Sequence, residues 1–107
     1  MELKIKTKGW PLTEALRNFT ELKSENSLGR FSSRVNHIIV RLSDINAHKG
    51  GIDKECKIIA RMRPSFHVMS ETRDTDMYEA VSRAFEKMAY NISRKTSLIK
   101  KRHGSYL

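Results

Sequence analysis

Arg83, Lys87, Tyr90 and Arg94 are of types, and at spacings, that could bind an anion. In an α-helix turning about 100° per residue they fall within about 60° of one another, so three cations and a phenol ring share one stripe. A helix rises about 5.4 Å per turn, so Arg83 to Arg94 covers roughly 16 Å. The chain then runs on through Lys95, Lys100, Lys101 and Arg102 without an Asp or Glu. Guanidinium and ammonium groups hold phosphate by charge and by donated hydrogen bonds, and they release counterions as they bind. One charged helix face is commonly only solvated surface. An acid-free basic segment continuing from the same helix turns the reading toward a polyanion, with folded RNA as the candidate.

Other chemistries fare worse. Asp44, Asn46, His48 and Glu55 have the spacing of a calcium loop, but Lys49 stands where that loop needs glycine, and strands flank it in place of helices. The four histidines and the single cysteine, Cys56, form no zinc spacing. No nucleophile elbow, phosphate loop or catalytic carboxylate pair stands out, so the sequence supports no catalytic residue, no metal and no cofactor. Asp74 and Asp76 are better explained as helix caps. Trp10 reads first as a cap on the core edge, with stacking on a base as the alternative.

The elements that would position these side chains follow from hydrophobic periodicity. Leu3 to Thr7 alternates apolar and basic residues, which reads as a strand with Leu3 and Ile5 inward. Gly9-Trp10-Pro11 ends it. Thr13 is the expected N-cap of a helix whose stripe is Leu12, Ala15, Leu16, Phe19 and Leu22, closing near Gly29 as a left-handed cap. Val35–Leu42, Lys54–Arg63 and Phe66–Thr72 read as three more strands, with Ile38, Val40, Leu42, Cys56, Ile58, Ala60 and Met62 inward. Asp74 and Asp76 should open the last helix, whose apolar stripe is Met77, Val81, Ala84, Phe85, Met88 and Ile92. That pattern weakens after Arg94.

The expected fold is therefore α+β, in the order β-α-β-β-β-α: a four-stranded mixed sheet with both helices packed on one face. The first two strands should be parallel and the rest antiparallel. Residues 1–95 form one domain and 96–107 a basic C-terminal tail. On the open face of the sheet the alternation leaves Lys4, Lys6, Arg41, Lys57, Arg61 and Arg63 around Ile39 and Ile59. No aromatic ring lies on that face, which argues against a base-stacking platform.

Composition agrees with a small RNA-binding domain. The 107 residues carry 21 Lys and Arg against 12 Asp and Glu, a formal charge of +9. One cysteine excludes an internal disulfide framework. No apolar run approaches the roughly 18 residues of a membrane span, and the start lacks a signal-peptide core. The expectation is a cytoplasmic protein with no membrane or small-molecule partner. A generic double-stranded-RNA module and a protein-interaction regulator using the open sheet face remain alternatives.

Two segments add a resemblance. Gly9-Trp-Pro-Leu-Thr13-Glu-Ala15-Leu16, followed by Asp76-Met77-Tyr78-Glu-Ala80-Val81 at the head of a basic helix, resembles the ribosome hibernation-promoting factors, also called ribosome-associated inhibitors or ribosomal subunit interface proteins. The likeness covers about Leu3 to Lys95 and is to short, divergent members, since the chain leaves no room for the second, dimerising domain of the long forms. Departures are Ser82, where an acid is usual, Met88 in place of Leu, and the stretch 24–34. The resemblance implies the same β-α-β-β-β-α fold and binding to the small ribosomal subunit, where the protein would occlude mRNA and tRNA and silence translation under stress. It also implies that Arg83, Lys87, Arg94 and Lys95 meet ribosomal RNA.

Overall fold

The computed structural model describes residues 1–45 and 53–104, with the side chains of the last helix described as far as Ile99. The elements are β1 (Glu2–Lys8), α1 (Glu14–Leu28), a 3-10 turn (Gly29–Phe31), β2 (Val35–Asp44), β3 (Lys54–Met62), β4 (Phe66–Asp74) and α2 (Met77–Gly104). The strands form one sheet in the order β1-β2-β3-β4. β1 pairs with β2 in parallel; β2 with β3 and β3 with β4 are antiparallel. This is the α+β arrangement expected from the sequence.

One face of the sheet is the core face. Ile38, Val40 and Leu42 of β2 and Cys56, Ile58 and Ala60 of β3 are fully buried there, in one cluster with Leu16 and Leu28 of α1 and Met77, Val81, Phe85, Met88 and Ile92 of α2. Both helices therefore lie on the same face. Val35 also points inward, although it lies three positions before Ile38, which simple alternation would place on the opposite face. A bulge between Val35 and His37 inserts one residue and restores the alternation.

The first helix starts as expected: the Thr13 hydroxyl accepts the Leu16 amide at 3.1 Å. Its buried stripe differs from the expected one. Leu16, Thr20, Ser24 and Leu28 are buried, whereas Ala15 is exposed and Leu22 is 59% exposed. The buried line is a strict four-residue repeat that brings α1 beside α2, and small hydroxylated residues fit where helices approach closely. Thr20 is satisfied locally, its hydroxyl donating to the Leu16 carbonyl at 2.8 Å. Gly29 also departs from expectation. It is right-handed, at φ −56° and ψ −37°, because the chain tightens there into the 3-10 turn. The left-handed glycine is Gly9, at φ +66°, where β1 turns toward α1.

Candidate nucleic-acid interface

The site is built on α2, and α2 is fixed at its first turn. The Asp76 carboxylate accepts the Tyr78 amide at 3.0 Å, and the Asp74 carboxylate accepts the Asp76 amide at 3.1 Å. Both aspartates are thus caps, as the sequence suggested. The Asp76 amide above all, with help from the Arg83 guanidinium and Thr75, holds the Asp74 carboxyl below the ordinary range. Negative charge here also suits the positive end of the helix dipole.

The helix runs antiparallel along β4 and is joined to it from two sides. Ala80 and Ala84 are fully buried and let the helix backbone come close to the strand. The inward hydroxyls of Thr72 and Ser70 donate to the carbonyls of Ala80 and Ala84, at 2.6 and 2.9 Å. On the outer side the direction is reversed. Arg83, Lys87 and Asn91 donate to the carbonyls of Arg73, Glu71 and Met69, at 3.2, 3.4 and 3.0 Å. Four helix residues rise about 6.0 Å and two strand residues about 6.6 Å, so the donors and the carbonyls keep step. Side chains from the helix thereby occupy the outward carbonyls of an edge strand.

The eight sequence-predicted residues divide accordingly. Arg83 is partly committed: it also bonds Asp74 at 3.2 Å. Lys87 donates to a carbonyl and has no carboxylate partner among the described residues. Tyr90 is 63% exposed. Arg94 is exposed and has no carboxylate partner among the described residues. Lys95 lies over the Phe66 ring, its ammonium 5.5 Å from the centroid, which steadies the side chain without neutralising it. Lys100, Lys101 and Arg102 belong to a stretch of α2 whose side chains lie outside the described residues. The helix itself continues through Gly104, beyond the point where the apolar stripe fades. Between its later turns and the start of β4 is a cleft of about 480 Å³, with apolar walls from Met69 and Leu98 and cations Arg94 and Lys95 at its rim.

On the open face of the sheet, the register sets Lys4, Ile39, Ile59 and Met69 in one row and Lys6, Arg41, Lys57 and Glu71 in the next. Arg61 shares this face beside His37. Arg63, expected in the same group, lies past the end of β3 and donates to the Asn36 side chain at 3.5 Å.

Sequence reasoning missed one cluster. Lys54 bridges Asp53 at 3.0 Å and Asp44 at 3.3 Å and sits 4.8 Å from the Trp10 ring centroid. The hydrogen bond that the ammonium donates to Asp53, followed by the one to Asp44, raises it above its ordinary range, against partial burial. It ties the strand ends of β2 and β3 to the connection after β1. The adjacent Asp53-Lys54 pair was a signal, but the distant Asp44 and Trp10 could only be placed by the fold. Cys56 is fully buried, and burial pushes its thiol up to about 12. Among the described residues no three His, Cys, Asp or Glu side chains gather as metal ligands, and no helix is long and apolar enough to cross a membrane.

A family model described as sigma 54 modulation protein / S30EA ribosomal protein matches residues 3–100. No curated protein matches the chain. Among solved structures, a ribosomal subunit interface protein from Coxiella burnetii superposes with a TM-score of 0.75 at 21% identity, covering 91% of this chain and 99% of that one. The N-terminal domain of Protein Y from Thermus thermophilus superposes with a TM-score of 0.71 at 24% identity, covering 88% and 98%. At these identities the two structures speak for the fold.

Proposed function

Because the chain belongs to the sigma 54 modulation protein / S30EA ribosomal protein family, we propose that it is a ribosome hibernation factor of the cytoplasm that binds the small ribosomal subunit near its decoding region. There it blocks mRNA and tRNA and so inhibits translation under stress. The observation that carries this reading is the electrostatic asymmetry of α2: no Asp or Glu follows Glu86 anywhere in the chain. Beyond Glu86 such a helix lays cations along the phosphates of a folded RNA with no carboxylate of that stretch to repel them. Arg83, Lys87, Arg94, Lys95, Lys100, Lys101 and Arg102 supply charge, and Tyr90 supplies a ring to stack on a base. The mechanism is occlusion. Protein and mRNA or tRNA compete for one site, so each weakens the apparent binding of the other, and no bond is made or broken.

Co-sedimentation with purified small subunits across a salt series tests this reading. Binding should fall steeply with salt, and preloading with mRNA and tRNA should reduce it. The double variant Arg94→Glu with Lys95→Glu should lose it. Equal binding by that variant, or equally tight binding to a plain RNA duplex, would overturn the proposal.

A further inference from the structure

The open face of the sheet holds a row of like charge that the fold does not require. Lys6, Arg41 and Lys57 are direct cross-strand neighbours on β1, β2 and β3. Side chains so paired have Cβ atoms about 4.5–5.5 Å apart, and like charges directly opposite one another are destabilising. The acids of this face do little to relieve them. Glu2 is engaged by His37 at 2.9 Å and Glu55 by Arg73 at 3.0 Å. Glu71 is shared between Arg73 at 3.7 Å and Lys57 at 3.8 Å. Lys6 and Arg41 have no ion-pair partner among the described residues. Residues 46–52 and 100–107 contain no Asp or Glu that could serve. Lysine on an edge strand protects it from pairing, which accounts for Lys6 on β1. That reason does not extend to Arg41 and Lys57, which lie on interior strands.

We propose that this row is a second phosphate-binding surface, which takes the backbone of an RNA strand across the open face of the sheet, away from the helical layer. Lys6, Lys8, Arg41 and Lys57 line one shallow hollow of about 220 Å³, together with Glu55, whose carboxylate is held by Arg73. The neighbouring row of Ile39, Ile59 and the half-exposed Met69 offers apolar contact to ribose and base beside the phosphates. A strand bound there relieves the repulsion by supplying the missing anions. The proposal stands on the geometry of the sheet, and it rests on the hibernation-factor reading only in naming RNA, rather than an acidic protein, as the polyanion. With α2 on one side and this row on the other, the domain is held between two RNA surfaces.

The test uses the full chain and two double variants, Arg41→Gln with Lys57→Gln and Arg94→Gln with Lys95→Gln. Melting temperature is measured alongside binding to a twenty-nucleotide single-stranded RNA and to purified small subunits, in a salt series. The sheet variant should melt higher than the parent, because repulsion is removed, yet bind both probes several-fold more weakly. Its slope of log affinity against log salt should flatten by about 0.7 for each cation removed. Unchanged affinity and slope for the sheet variant, with binding lost in the helix variant, would overturn this inference and leave the α2 reading standing. Loss of binding in the sheet variant alone would do the reverse. A lowered melting temperature with lost binding would make the row structural. Poly-glutamate that binds the parent more tightly than RNA would reassign it to an acidic protein. Either outcome overturns the proposal.

Discussion

The side-chain amide of Asn91 donates to the Met69 carbonyl across 3.0 Å, so a residue of α2 completes the hydrogen bonding of an edge strand. Arg83 and Lys87 do the same for Arg73 and Glu71. Two of the cations that would meet RNA thus also shield the sheet.

Asn91→Ala should cost about 0.5–1.5 kcal/mol, the net worth of an ordinary hydrogen bond at a site where water can replace it. Urea titration measures this. The triple variant Arg83→Ala, Lys87→Ala, Asn91→Ala bares three carbonyls of β4 and should associate more with rising concentration than the parent does. Sedimentation velocity that is identical for the two chains would contradict this shielding role.

Thr72→Val keeps the shape of a buried side chain but removes its donor to the Ala80 carbonyl. The expected loss is about 1 kcal/mol, since that carbonyl retains its bond within the helix. Ala84→Leu should be worse, by about 1–3 kcal/mol or more, because the helix would be lifted from β4. A shift of the denaturation midpoint at constant slope reports both.

Cys56 should be inert in the folded protein. With its thiol near 12, only about one in ten thousand is ionised at pH 8, and burial denies reagents access. A thiol-reactive dye should label it slowly under native conditions and rapidly in denaturant. Fast native labelling would mean that β3 opens.

Trp10 is the only tryptophan, and its emission reports the Lys54 cluster. The Lys54 ammonium is raised above its usual 10.5, so its contribution to stability is complete below that value and is lost as pH rises through the raised one. Emission should therefore hold steady through neutrality and change only in strong base. Lys54→Met should lower the melting temperature and shift emission at every pH, since Asp44 and Asp53 lose their common partner. Asp74 has the opposite sign. Its carboxyl is depressed, so its contribution is complete above the usual carboxylate range and is lost as acid passes through the lowered value. In a carboxyl NMR titration Asp74 should titrate below an unperturbed aspartate.

Strand alternation and the α2 stripe were legible in the sequence because apolar side chains there face one continuous core: Met77, Val81, Ala84, Phe85, Met88 and Ile92 are all buried. The α1 stripe was not. Counting apolar residues selects Ala15 and Leu22, whereas the packed line contains Thr20 and Ser24. Residue polarity says nothing about how closely two helices approach, and closeness chose the small side chains. At the candidate site, the cationic stripe could be read from helical spacing. The contacts of Arg83 and Lys87 with β4 could not, because they depend on which strand lies beside the helix and in which direction. The sheet row likewise needed the true register of three strands.

The ladder between α2 and β4 has one further consequence. Its two scales are graduated differently, about 6.0 Å on the helix and about 6.6 Å on the strand, and so behave as a vernier. Marks on such a pair coincide over a short length and then drift apart by about 0.6 Å per step. Coincidence is found at Arg83, Lys87 and Asn91; one interval on, Lys95 turns to the face of Phe66. Sliding α2 by half a step, about 3 Å, would spoil all three matches at once, so the hydrogen bonds hold the helix at a discrete longitudinal position, and with it how far the cations after Asn91 are carried out past the sheet.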